Sequence, residues 1–303
     1  MSQPTITGDG EVEQTKQSIM EIGKGGALTL RNLINILLPL ALILSAEAFF
    51  FVGYPMECIW VHGLNVFLCL LLLVVIGDDQ GLFQAFSLVS LIRILGLGMP
   101  LFFDLTLYNF VPIYLAAIVS GMIVIGDGRP VKEQLKLVAQ GGMKAFRWVL
   151  RRPMKATALL ATGVLTGYAL ANVEYAIISP EALIPEWDLA NLLFLGVIML
   201  LFVGFGEELL FRAILQRRVI SKMGEFMMTV SAVVLGVVLS SMVFAAMHSV
   251  YLSLDYLAYV FIVGLLLGNL YRITGSLGYV SLIHGSINFF LFSFLPFGYL
   301  RLF

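Results

Sequence analysis

Charge is scarce in this sequence, and that scarcity sets the first limits. Of 303 residues only 12% are charged while 60% are hydrophobic, against roughly 25% charged in a soluble globular domain. The bulk of such a chain cannot face water. The net charge of −1 leaves no basic footprint for nucleic acid. There are two cysteines, Cys58 and Cys69, about 16 Å apart if they lie on one helix. That is too far for a disulfide, and with no third cysteine there is no thiolate metal framework. The first 26 residues are polar and lack the apolar stretch and small-residue cleavage site of a signal peptide. No soluble domain and no fixed-period repeat is evident.

What is present is a series of apolar runs, each about the 20 residues that cross a bilayer as a helix. Runs such as Val66 to Ile76 and Leu192 to Val203 are continuously apolar. A β-barrel strand would alternate, so the spans are helices. They are predicted at 33–53, 57–76, 82–103, 106–126, 157–178, 189–215, 227–249, 254–273 and 277–296. The expected fold class is an all-α polytopic transmembrane helical bundle of about eight or nine spans, with a polar cavity between its C-terminal helices. The chain divides into a polar tail (1–26), an N-terminal four-helix membrane part (27–126), a basic loop (127–156) and a C-terminal core (157–303).

The loop carries Arg129, Lys132, Lys136, Lys144, Arg147, Arg151, Arg152 and Lys155. Excess Lys and Arg marks the cytoplasmic side, which also places the N-terminus inside and Glu181, Glu186 and Asp188 outside. A second reading lays this segment as an amphipathic helix on anionic headgroups. The expected location is a prokaryotic cell membrane.

The chemistry is concentrated in a few polar residues inside apolar segments. Glu207, Glu208 and Arg212 stand together in G-F-G-E-E-L-L-F-R, where three intramembrane charges oppose insertion by about 7 to 10 kcal/mol. A cost of that size is normally retained for function. Glu208 and Arg212, four apart, stack on one helix face and neutralise each other. Glu207 then points about 100° away as the unpaired acid. Of the three histidines, His62 reads as a satisfied structural or interfacial residue, with Glu57 its ionisable neighbour in sequence. His248 shares a face with Phe244, whose ring can wall off the imidazole. His284 shares a face with Asn288, and two aligned donors suit a developing oxyanion. A carboxylate and an imidazole on two other helices suit the activation of a water. No G-x-S-x-G elbow supports a serine nucleophile. Arg93, in the middle of an apolar span, either binds a substrate carboxylate or pairs internally with Glu47, and Pro100 is expected to kink or end that span.

E-E-L-L-F-R at 207–212, F-A-A-M-H at 244–248 and H-G-S-I-N at 284–288 resemble, in order, the EExxxR, FxxxH and HxxxN motifs of the type II CAAX prenyl endopeptidase and bacteriocin-processing (Abi, or CPBP) intramembrane protease family. The resemblance covers about 190 to 295, a third of the chain. It implies an intramembrane endopeptidase that cleaves a membrane-associated or lipid-anchored peptide. Glu207 and His248 would activate water, His284 and Asn288 would form the oxyanion hole, and Glu208, Arg212 and Phe244 would organise the site. It implies no metal and no cofactor. A zinc site built from Glu207, His248 and His284 is the nearest alternative, though there is no H-E-x-x-H and Asn288 would have no task. A scaffold or a transporter would retain intramembrane charges for other reasons.

One difficulty follows from straight counting of spans. Glu207 falls towards the cytoplasmic end of its helix and His248 towards the outer end of the next, which calls for a tilted or broken helix within 223–249.

Overall fold

The computed structural model describes residues 30–77, 81–99, 107–126 and 129–302. The polar tail and Pro100 lie outside them. Among the described residues there are ten helices and no strand. The first four are α1 (Leu30–Phe51), α2 (Pro55–Ile76), α3 (Leu82–Gly98) and α4 (Leu107–Gly126). α5 (Val131–Arg151) occupies the basic segment and α6 (Pro153–Ile178) follows it. The C-terminal part holds α7 (Leu189–Gly224), α8 (Thr229–Ala246), α9 (Leu254–Thr274) and α10 (Leu277–Phe292).

Seven helices are long and apolar enough to cross a membrane, and α3 and α10 are shorter apolar helices. Large side chains such as Trp60, Phe67 and Val74 are exposed on the outside of α2. Only a lipid solvent makes such a surface stable, and helices satisfy the backbone within it. The chain is an integral membrane protein.

Local chemistry sets the helix ends. Pro55 and Pro153 begin α2 and α6 at the first-turn position where a missing N–H costs nothing. Asp188 caps α7 by accepting from the Asn191 amide at 2.8 Å, and Ser253 and Ser276 cap α9 and α10 in the same way. Gly275, at φ 63°, closes α9 in the left-handed conformation.

α7 is the axis of the C-terminal part and is irregular at two places. Its i→i+5 bonded stretches, Ile198–Gly204 and Leu209–Gln216, flank a single α-helical turn, Phe205–Glu208. Such wide turns leave carbonyls underused, and the Ser240 hydroxyl of α8 donates to one of them, Phe211 O, at 2.9 Å. α8 itself runs unbroken from Thr229 to Ala246. The irregularity expected within 223–249 therefore falls at the ends of α8, while α7 carries distortions the sequence did not announce.

Small residues let α10 approach its neighbours closely. A Cβ on Gly204 of α7 would lie 2.7 Å from the Gly285 amide nitrogen, and one on Gly285 would lie 2.7 Å from Leu200 Cα. On the other flank, a Cβ on Gly167 of α6 would stand 2.7 Å from Ile283 O. Backbone is thus nearly in contact with backbone on both sides of α10, the packing that Gly permits between membrane helices.

Candidate active site

The turn Phe205–Glu208 presents two carboxylates to different neighbours. Glu208 is fully buried, and its Oε2 accepts from Arg212 Nε at 3.0 Å one turn on. Its Oε1 accepts from His284 Nδ1 at 2.9 Å. The guanidinium of Arg212 lies 4.8 Å from the centroid of the Phe244 ring, a cation–π contact in a desolvated site. Its two terminal nitrogens have no hydrogen-bond partner. Glu208 and Arg212 thus form the expected i,i+4 pair, and the pair also grips His284.

Glu207 faces the other way. Its Oε1 accepts from the Tyr114 hydroxyl of α4, a partner that sequence reading missed because nothing distinguishes that tyrosine from the other aromatic residues of its span. Its Oε2 is buried and without a hydrogen-bond partner. Around that oxygen stand His248 Nε2 at 3.9 Å and His284 Nε2 at 3.7 Å. Those distances are too long for direct hydrogen bonds and are the separations that a bridging water spans.

The ring of His248 is oriented by its own helix. Its Nδ1 lies 2.8 Å from Phe244 O, and a carbonyl only accepts, so Nδ1 carries the hydrogen. In the neutral ring the lone pair is then on Nε2, the nitrogen that faces Glu207. Phe244 also packs against both imidazoles, with centroids 4.7 Å from His248 and 5.6 Å from His284. It is the shared wall between them.

Asn288 sits one turn beyond His284 on α10 and lines, with His248 and Glu207, a cavity of about 320 Å³. The walls are mainly apolar, among them Phe110, Ile113, Met199, Val203 and Phe292. Arg93 reaches the same cavity, but two of its nitrogens are engaged: Nε and Nη2 each donate to Glu47 at 2.6 Å. The internal pair weighed against substrate binding does form. Glu174 of α6 is a second residue that sequence reading passed over. Buried, and accepting from the Tyr256 hydroxyl at 3.0 Å, it lines the cavity wall beside His248 and Asn288. A lone acid in an apolar span was its available signal.

Residues 189–290 match the model of the family described as type II CAAX prenyl endopeptidase Rce1-like. They are a CAAX protease domain. The match takes in all three motifs, from Glu207 to Asn288. At the level of its family, the CAAX protease domain is a hydrolase of peptide bonds held in a membrane. No curated protein and no solved structure matches the chain.

Proposed function

We propose that the CAAX protease domain is a glutamate-type intramembrane endopeptidase that cleaves a peptide bond in a membrane-associated or lipid-anchored peptide. The observation that carries this reading is the convergence on one unpartnered oxygen, Glu207 Oε2, of His248 Nε2 at 3.9 Å and His284 Nε2 at 3.7 Å. A water between Glu207 and His248 donates its two hydrogens to the carboxylate and to the Nε2 lone pair, leaving an oxygen lone pair for the substrate carbonyl. As the oxygen–carbon bond forms, the proton passes to Glu207. Tyr114, donating to Oε1, keeps the carboxylate anionic until then and leaves Oε2 to act.

The carbonyl oxygen becomes an oxyanion, which His284 and the Asn288 amide stabilise as donors. The hydrogen on Nδ1 of His284 is committed to Glu208. The ring therefore donates from Nε2 only as an imidazolium, a charge that the Glu208 carboxylate balances. Collapse of the intermediate breaks the carbon–nitrogen bond, and the proton held by Glu207 goes to the leaving amine. Glu208 and Arg212 hold His284 in place, and Phe244 screens both rings. The apolar walls of the cavity favour an apolar peptide segment or lipid-bearing side chain over a charged one.

The test is turnover of a membrane-anchored reporter peptide in proteoliposomes. Glu207→Gln keeps the shape and removes the base, and should lower kcat by about 10² or more. Full turnover by this variant would sink the reading. Activity is expected to survive chelators with no metal co-purifying, and metal-dependent turnover would favour the zinc alternative.

A further inference from the structure

The helices α1 to α3 lie outside the CAAX protease domain and contribute none of its motif residues, yet they hold a buried polar cluster that ends on the residue next to His248. Glu47 of α1 accepts from Arg93 of α3 through both carboxylate oxygens, each at 2.6 Å. Ser249 closes the ring: its hydroxyl donates to Glu47 Oε2 at 2.6 Å and accepts from Arg93 Nη2 at 2.8 Å. His62 of α2 stands 3.0 Å from Glu47 Oε1 through Nε2 and 3.1 Å from the Ser90 hydroxyl through Nδ1. Because a carboxylate only accepts, Nε2 of His62 is the donor, and in the neutral ring Nδ1 accepts from Ser90. Asn65 in turn donates to Ser90 at 2.9 Å. These bonds polarise one another in one sense, towards Glu47.

The cluster also contains Cys58, and Glu47, Cys58 and His62 bring three ligand atoms within 4.8 Å of one another. Both Glu47 oxygens, however, are already neutralised by the Arg93 guanidinium, and Nε2 of His62 is spent on one of them. The hydrogen-bonded arrangement is complete as it stands, and it leads away from the cysteine, towards Ser249.

His248 lies beyond the last residue of α8, Ala246, in the short turn before Ser249–Tyr251. Helix termini fray, and a ring there has no following helical turn to hold its backbone. The backbone is held instead by its neighbour: Ser249 is 1% exposed and tied to two charged groups. We infer that Glu47, Arg93 and Ser249 form a clasp through which the N-terminal helices position His248 against Glu207. They are positioning residues; none reaches the reacting atoms through this ring of bonds. The inference rests on His248 being the partner of Glu207 in activating water. It gives α1 to α3 a task in the reaction.

The experiment uses the full-length protein in proteoliposomes, with turnover of the reporter peptide and NMR of histidine labelled at the ring. Three histidines make the spectrum simple, and the His248 signal is the one lost in His248→Ala. Ser249→Ala leaves the Glu47–Arg93 pair intact and should lower kcat about tenfold with KM little changed, as expected of a small misplacement of a catalytic group. The His248 signal should shift while that of His284 stays, and Ser249→Thr, which restores the hydroxyl, should recover both. If Ser249→Ala does not accumulate, Glu47→Gln with Arg93→Met removes both charges together and should give the same selective shift. A wild-type kcat and an unmoved His248 signal in Ser249→Ala overturn the clasp. So does a loss of kcat in which the His248 and His284 signals move alike, since that is general loosening. Full turnover in His248→Ala would instead overturn the role of His248 itself, whatever the Ser249 variants show.

Discussion

Replacing Gly204 by alanine probes whether the closeness of α7 and α10 is what assembles the site. The added Cβ would lie 2.7 Å from Gly285 N, 2.8 Å from Gly285 Cα and 2.9 Å from Met199 O. All three are backbone atoms, so no side chain can rotate out of the way. Restoring ordinary contact, at about 3.5 Å or more, requires α10 to move outward by something under 1 Å. Overpacking of this kind costs about 1 to 3 kcal/mol. The displaced residue is the neighbour of His284, whose 2.9 Å bond to Glu208 would stretch past hydrogen-bonding range, forfeiting a further ~1.5 to 3 kcal/mol for a bond to a charged group. A misplacement near 1 Å at a catalytic centre lowers the rate by as much as about 10²-fold. We therefore expect Gly204→Ala to accumulate with a lowered melting temperature and to turn over the reporter between 10 and 100 times more slowly, by estimates of about that size. Gly278→Ala, where nothing lies within 4 Å, is the matched control on α10. Gly163→Ala should be milder, because its nearest neighbour at 2.7 Å is the flexible end of Leu282. Wild-type turnover in Gly204→Ala would refute the claim that this contact sets the geometry.

Three further outcomes follow from the site. Tyr114→Phe removes the donor to Glu207 Oε1 without changing shape, and should slow turnover by about tenfold, short of the loss in Glu207→Gln, measured on the same reporter. Glu208→Gln leaves Arg212, fully buried, without its counter-charge and should lower stability by about 3 to 5 kcal/mol in thermal or denaturant unfolding. The double change Glu208→Leu with Arg212→Leu should recover much of that stability but not activity, because His284 loses its acceptor. Asn288→Ala should lower kcat by about 10² to 10³ with little change in unfolding temperature, the signature of a lost oxyanion donor.

The sequence disclosed more of the site than of its support. The helices were legible because apolar runs of bilayer length have one structural solution in lipid, and the pairing of Glu208 with Arg212 was legible because a four-residue spacing is a local fact of helix geometry. The partners of Glu207 and His284 were not. Tyr114 comes from a different helix, and that Glu208 serves Arg212 and His284 at once is decided by the crossing of α7 and α10, where glycines bring the backbones together. His62 was read as structural, and its bonds to Glu47 and Ser90 fit that reading, although the acid beside it is fifteen residues back rather than the nearer Glu57. The apparent conflict in depth between Glu207 and His248 came from treating 189–215 as the full span. The helix in fact continues to Gly224.

That length carries a consequence for the reaction's second substrate. At about 1.5 Å per residue, the 36 residues of α7 measure about 54 Å, and Glu207 stands about 26 Å from either end. A carboxylate so far from both termini operates where hydrocarbon excludes solvent, so water must be imported as surely as the peptide is. Supply then becomes a controllable step. Bulkier apolar residues at cavity positions away from the motifs, such as Ala117, would starve hydrolysis by drying the chamber, with every acid, base and donor still in place.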